Sequence, residues 1–170
     1  MNAIEVKDIT KKYDNFRLNH VSLQIPEGTI YGLIGENGAG KTTLINCILG
    51  LVQPNYGDVV VLGSNNFINE VELKDQLGFV INDMGIPNIL TVDKIEEIFS
   101  KIYKHWDHAQ FEKLLKQFEI DEEAKYETLS LGNKMRIAIA IALSHNAKLL
   151  VLDEPMNALD PAIRAEVVEL

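Results

Sequence analysis

The chain has 170 residues, of which 46% are hydrophobic and 24% charged, and its formal net charge is −9 at pH 7. These values are typical of one globular domain, and the acidic balance argues against a surface that binds nucleic acid. Cys47 is the only cysteine, which excludes an intrachain disulfide and favours a cytosolic compartment; we expect it in the core. No signal-peptide pattern is present, and the longest aliphatic run, 137–143, is far shorter than the ~20 residues that span a bilayer. Any membrane role is therefore expected to come through a partner.

Short strands open the chain. Residues 3–9 alternate between apolar and polar and predict a strand, 11–15 form a polar turn, and 16–25 predict a second strand. After a tight turn at 26–28, the apolar run 29–34 predicts a buried strand.

A glycine-rich loop follows that strand. Residues 35–43 read GENGAGKTT and fit the pattern GxxxxGK[ST], after a strand and before a helix predicted over 42–50. Bare backbone can wrap a triphosphate closely, and the N–H groups of the loop converge on its oxygens. Lys41 is expected to reach the β- and γ-phosphates, and Thr42 to place its hydroxyl on Mg²⁺. The predicted ATP-binding residues here are Gly35, Glu36, Asn37, Gly38, Ala39, Gly40, Lys41, Thr42 and Thr43.

Strand signals return after the loop. A turn at 54–58 precedes a strand at 59–63, residues 64–77 predict a loop with a short helix, and 77–81 predict a buried strand before a turn at 82–87. The pattern indicates a small antiparallel sheet beside a parallel α/β core.

An all-helical stretch occupies about 90–127. Thr91 is expected to cap a helix through Lys104, and Asp107 with Gln110 resembles a capping box. Trp106 is expected to pack between helices. One face of the second helix is apolar, at Phe111, Leu114, Leu115 and Phe118.

Two acidic residues end the next apolar strand. Ser130 precedes a helix that runs to about Ser144, where we expect His145 on the surface. The strand 148–152 leads into Asp153 and Glu154. An aspartate at that carboxyl end can hold Mg²⁺, usually through water, and a neighbouring glutamate can act as general base.

From about residue 4 to residue 170 the chain resembles the ATP-binding subunit of ABC transporters. The stretch 35–43 corresponds to Walker A, and LLVLDEP at 149–155 looks like Walker B with the catalytic glutamate, Glu154. Asp160 resembles the aspartate of the D-loop, and Tyr13 matches the aromatic residue that stacks on adenine. The family's signature falls on Ser130, Leu131, Gly132 and Asn133.

The resemblance implies an α/β fold: a P-loop NTPase core with a parallel sheet, an antiparallel β subdomain and an inserted helical subdomain. It implies that residues 1–170 form one ABC ATPase domain. Within that domain, the core with the β subdomain covers about 1–86 and 145–170. The helical subdomain with the signature then covers about 87–144. Asp160 with Pro161 predicts the start of a helix running to Leu170, with no closing cap, so we interpret the chain as a fragment.

The resemblance also implies a mechanism. Two such domains pair head to tail around two MgATP molecules, and the signature serine of one caps the γ-phosphate held by the other. Hydrolysis then drives a transmembrane permease subunit from the cytoplasmic face of the membrane, and no nucleic acid is expected as partner. The second ATP-binding subunit can be identical or different, and neither the cargo nor the direction of transport is specified.

The chain departs from the family pattern at three positions. Leu131 and Asn133 replace the first glycine and the glutamine of the signature, in a form similar to bacterial exporter subunits related to antibiotic and lantibiotic resistance. Asn82 stands where the family has glutamine or glutamate contacting the metal; it either keeps that role or only forms a turn. The family's switch histidine would lie beyond Leu170, so we expect these 170 residues to bind ATP but to hydrolyse it weakly.

Two other classes of function stay open. One is an ABC ATPase of translation or DNA repair, although neither a second such domain nor a long coiled coil is apparent. The other is a P-loop GTPase or small-molecule kinase. Guanine readers carry an N-K-x-D stretch, and residues 133–136 read NKMR, without the aspartate.

Overall fold

The computed structural model describes residues 1–65, 69–81 and 84–153. The chain divides into two units, Met1–Lys74 and Asp75–Leu170. The helix predicted from Asp160 lies outside the described residues. The domain boundaries implied by the family resemblance stay a prediction.

The first unit is built on an antiparallel sheet of three strands in the order β2-β1-β3. Its strands are β1 (Asn2–Tyr13), β2 (Phe16–Pro26) and β3 (Tyr56–Val61). The strands predicted at 3–9 and 16–25 are confirmed. The turn predicted at 11–15 is wrong for its first three residues, because β1 continues to Tyr13 and pairs with β2 up to the two turn residues.

Helix α1 (Lys41–Ile48) follows the glycine-rich loop, and α2 (Val71–Lys74) ends the unit. The buried face of α1 includes Leu44, Ile45, Cys47 and Ile48. Cys47 is thus a core residue, as predicted, and burial raises the pKa of its thiol. Loss of water around a thiolate disfavours the charged form, which explains the direction.

The predicted buried strand at 29–34 is wrong. The segment is irregular, and the side chains of Ile30 and Ile34 are almost fully exposed. A parallel core strand is buried only when neighbouring strands pair with it. In the described part of the first unit, β1 already lies between β2 and β3, and the segment joins none of their ladders.

The second unit combines a parallel strand pair with helices. Strand β4 (Leu77–Val80) pairs with β5 (Leu149–Leu152). The helices are α3 (Val92–Ile102), α4 (His108–Gln117) and α5 (Leu131–Leu143), with a 3₁₀ turn at Tyr126–Thr128. The strand predicted as buried at 148–152 forms, but Leu150 and Leu152 are exposed, because β5 has only β4 as a neighbour among the described strands.

Two predicted caps, Thr91 and Asp107, lie at helix starts. Thr91 is the N-cap of α3, with its hydroxyl bonded to the Asp93 carboxylate rather than to the backbone. The carboxylate of Asp107 accepts a hydrogen bond from the Gln110 N–H at 2.9 Å, which satisfies one free donor of α4. The predicted apolar face of α4 is confirmed, since its four members are buried: Phe111, Leu114, Leu115 and Phe118.

The surface position predicted for His145 is wrong. Its ring is buried, with Nδ1 2.9 Å from the Ile141 oxygen and Nε2 3.2 Å from the Leu77 oxygen. Tyr103 stacks on it at 3.8 Å between ring centres, and Trp106 packs on Phe111 at 5.3 Å, as expected of a residue between helices. Tyr103, which directly follows α3, stacks on the His145 ring and shields it from water.

Candidate nucleotide-binding site

The glycine-rich loop is an open turn that leads directly into α1. The Ala39 N–H donates to the Glu36 oxygen at 3.2 Å, and the Leu44 N–H donates to the Gly40 oxygen at 2.9 Å. Gly38 and Gly40 have φ values of 81° and 96°, in the left-handed region that favours glycine. The loop therefore needs glycine at both positions for its backbone to take this path.

Lys41 curls back over the loop. Its Nζ donates hydrogen bonds to the carbonyl oxygens of Gly35 at 2.9 Å and Glu36 at 3.0 Å. The first turn of α1 carries no acidic side chain, so no carboxylate of that turn would repel a phosphate at the helix N-terminus. An ammonium group and a helix N-terminus thus create a positive surface suited to phosphate oxygens.

The β1–β2 hairpin brings aromatic rings to this loop. Tyr13 and Phe16 are the last pair of the ladder, with ring centres 6.4 Å apart, and half of the Tyr13 side chain is exposed. The Lys11 Nζ lies 5.4 Å from the Tyr13 ring centre and is held by the Gln53 oxygen at 2.8 Å. An accessible ring beside a glycine-rich loop of this kind is suited to stacking on a nucleobase.

Phe16 was identified from the sequence only as the first residue of a strand. A β-carbon built on Gly40 would lie 2.7 Å from Cζ of Phe16 and 3.1 Å from Cδ1 of Leu18. The ring tip therefore occupies the space that any other residue at position 40 would need. The sequence did contain one indication of this role, which is that Phe16 is an aromatic residue separated from Tyr13 by only two turn residues.

Asp153 lies in the second unit, directly after β5. Its N–H donates to the Val80 oxygen at 2.8 Å, which extends the parallel pair by one residue, and the residue is 2% exposed. Carboxyl ends of parallel strands are where α/β sheets bind ligands. Carboxylate oxygens, such as those of Asp153, are ligands that Mg²⁺ prefers.

The signature residues start α5. The Ser130 hydroxyl accepts a hydrogen bond from the Asn133 N–H at 3.1 Å and keeps its own proton for donation. Leu131 is exposed at the first helical position. The Asn133 side-chain oxygen accepts from Arg136 at 2.9 Å, so the residue that replaces glutamine is used to hold an arginine of its own helix.

The remaining predicted site residues, Asn82, Glu154 and Asp160, lie outside the described residues. Within residues 1–65, 69–81 and 84–153, no group of three histidine, cysteine or acidic side chains is arranged to hold a metal ion. Over the same ranges, every helix is too short or too polar to cross a membrane.

Comparison with solved structures identifies the fold. A chain described as the ATP-binding subunit of an ABC transporter matches with a TM-score of 0.84 and 26% identity, over 98% of this chain and 72% of that one. A dimeric ATP-binding cassette in a post-hydrolysis state, bound to ADP and Pi, matches with a TM-score of 0.80 and 27% identity, over 98% and 80%. The expected α/β cassette fold is thereby confirmed.

Curated relatives agree with the structural comparison. The bacitracin transport ATP-binding protein BcrA of Bacillus licheniformis is 37% identical over 161 residues, 93% of this chain and 53% of its own length. The probable multidrug ABC transporter ATP-binding protein YbhF of Escherichia coli is 36% identical over 170 residues, 96% of this chain and 29% of its own. The chain thus spans about half or less of the length of these relatives. The family described as "ABC transporter" matches residues 18–157, and this chain belongs to it.

Proposed function

We propose that the chain binds MgATP in the loop 35–43 and, paired head to tail with a second ATP-binding subunit, hydrolyses it to power a membrane permease. The observation that carries the proposal is the Lys41 ammonium group, held at the loop by the Gly35 and Glu36 oxygens. Phosphate oxygens are stronger acceptors for an ammonium group than neutral carbonyls, so a triphosphate can take over these hydrogen bonds.

Each end of the nucleotide has a proposed set of residues. Tyr13 stacks on the base, and the N–H groups of the loop and of α1 surround the phosphates. Thr42 and Asp153 supply oxygens that would hold Mg²⁺, whose charge neutralises the phosphates when bound. Asn82 would stand near it, and Glu154 would orient and deprotonate the attacking water.

The second ATP-binding subunit completes the site in this proposal. Ser130, at the start of α5, offers its hydroxyl proton and a helix N-terminus to the γ-phosphate held by the other subunit. Asp160 would lie at the same interface. The dimeric cassette bound to ADP and Pi supports pairing of this kind.

The relatives support transport as the purpose of hydrolysis. Their names refer to bacitracin transport and multidrug transport, which favours a cargo of that chemical range. We infer that the chain acts at the cytoplasmic face of the membrane, docked on a permease subunit. Co-sedimentation with membranes that contain the permease, and loss of it in membranes that lack the permease, would test that location.

Calorimetric titration with MgATP tests nucleotide binding. Lys41→Ala removes a charged donor, so we expect affinity to fall by a factor of about 10 to 150, as for loss of a charge-assisted hydrogen bond. Lys7→Ala, an exposed lysine on β1 in the same unit, is the matched control and should leave affinity within about twofold. Equal affinity in all three proteins would refute the assignment of the site.

Hydrolysis is tested separately from binding. Glu154→Gln should leave MgATP affinity nearly unchanged and lower turnover by about 100-fold or more, in the range for loss of a general base. Turnover at the unmodified rate in this variant would show that Glu154 is not the base.

A further inference from the structure

Phe16 lies between the base end and the phosphate end of the proposed site. Its ring centre is 6.4 Å from that of Tyr13, at a tilt of 31°. Its Cζ atom is the atom closest to the β-carbon position of Gly40, at 2.7 Å, and its Cε1 atom lies at 3.4 Å from the same position. The ring thus approaches Gly40 tip first while its body stays beside Tyr13.

This contact limits how the phosphate-binding loop can move. Gly40 is the N-cap of α1, with φ at 96°, and its carbonyl oxygen accepts the Leu44 N–H. When nothing packs on a glycine, its backbone can adopt many other φ and ψ angles, because it has no side chain to restrict them. The ring removes that freedom, with Leu18 closing the adjoining side at 3.1 Å.

We propose that Phe16 is a positioning residue that couples the base-binding hairpin to the phosphate-binding loop. It holds Gly40 in the conformation that aims the first N–H groups of α1 at the phosphates, and it fixes the Tyr13 ring on the same rigid pair of strands. The inference rests on the proposed function for its effect on MgATP, whereas the contact with Gly40 is independent of any ligand.

Hydrogen exchange and calorimetry test the two parts on the same variant. In Phe16→Ala we expect the Leu44 amide, which bonds to Gly40, to exchange about tenfold faster, a typical result of losing side-chain packing. The Leu49 amide, bonded to Ile45 at the far end of α1, should keep its rate. The dissociation constant for MgATP should rise about tenfold.

Three further variants distinguish positioning from general stability. Leu23→Ala, a half-buried residue of β2 paired with Val6, is the matched control and should change neither readout. Phe16→Met reaches about as far as the ring and should restore most of the affinity. Phe16→Tyr adds an oxygen at the ring tip that faces Gly40, so it should weaken binding although it keeps the ring.

The outcomes separate this inference from the proposed function. If Phe16→Ala behaves like Leu23→Ala in both exchange and affinity, the coupling role is refuted while nucleotide binding stands. If the unmodified protein does not bind MgATP, the proposed function fails. The exchange rate at Leu44 still decides in that case whether Phe16 holds Gly40.

Discussion

Replacing Gly40 by alanine adds two separable costs to the folded state. The first is backbone strain, about 1–2 kcal/mol for an L-residue in the left-handed region. The second is overpacking, roughly 1–3 kcal/mol, because the new methyl would lie 2.7 Å from Cζ of Phe16 and 3.1 Å from Cδ1 of Leu18. Gly38→Ala carries the strain alone, since φ is 81° and nothing lies within 4 Å of the added carbon.

Urea unfolding without nucleotide measures the difference between the two variants. Both substitutions restrict the unfolded chain equally, so that contribution cancels in the comparison. We expect Gly40→Ala to lower the free energy of unfolding by about 1–3 kcal/mol more than Gly38→Ala does. A difference below about 0.5 kcal/mol, the usual effect of surface substitutions, would show that the ring does not limit the room at position 40.

Three other predictions concern buried and charged groups. His145→Ala should lower the free energy of unfolding by about 2–4 kcal/mol, because it removes a buried stacked ring, whereas the exposed His105→Ala should change it by less than about 0.5 kcal/mol. The hydrogen bond from Lys101, and to a smaller extent that from Lys94, lowers the pKa of Glu97 to about 2. The interaction between Glu97 and Lys101 therefore stabilises the fold above the unfolded pKa of about 4.3, and this stabilisation is lost as the pH falls toward 2. In Lys101→Met, an NMR titration should show a higher pKa for Glu97. An unchanged pKa would contradict the pairing. Cys47 should react slowly with a thiol reagent in native buffer and quickly in urea, followed by absorbance, because burial raises its pKa; equal rates would show that the core is open there.

Local patterns were enough to predict the features that depend on neighbours in sequence. The cap at Asp107 and the hairpin of β1 and β2 follow from short-range rules of hydrogen bonding and alternation. The path of the glycine-rich loop into α1 was predictable for the same reason, since its glycines and Lys41 lie within a few residues of one another.

Features that depend on distant contacts were not predictable in this way. The run 29–34 has the composition of a buried strand, yet pairing with a neighbour is what buries a strand, and composition does not reveal it. His145 ends a helix as a surface histidine would, but Tyr103 and the Leu77 oxygen come from elsewhere in the second unit. Phe16 was missed because its contact with Gly40 exists only after the hairpin has folded over the loop.

The two sheets differ in the length of chain that must be closed to form them. Two turn residues separate Tyr13 from Phe16, whereas residues 81–148 intervene between β4 and β5. Closing the longer segment costs about 2–3 kcal/mol more in chain entropy. The parallel pair therefore forms only after the helices between its strands have folded, whereas a hairpin forms within microseconds. During synthesis the N-terminal part of a chain also folds first. The hydrogen bonds from Lys41 to the Gly35 and Glu36 oxygens can therefore be in place before the ribosome has added Asp153.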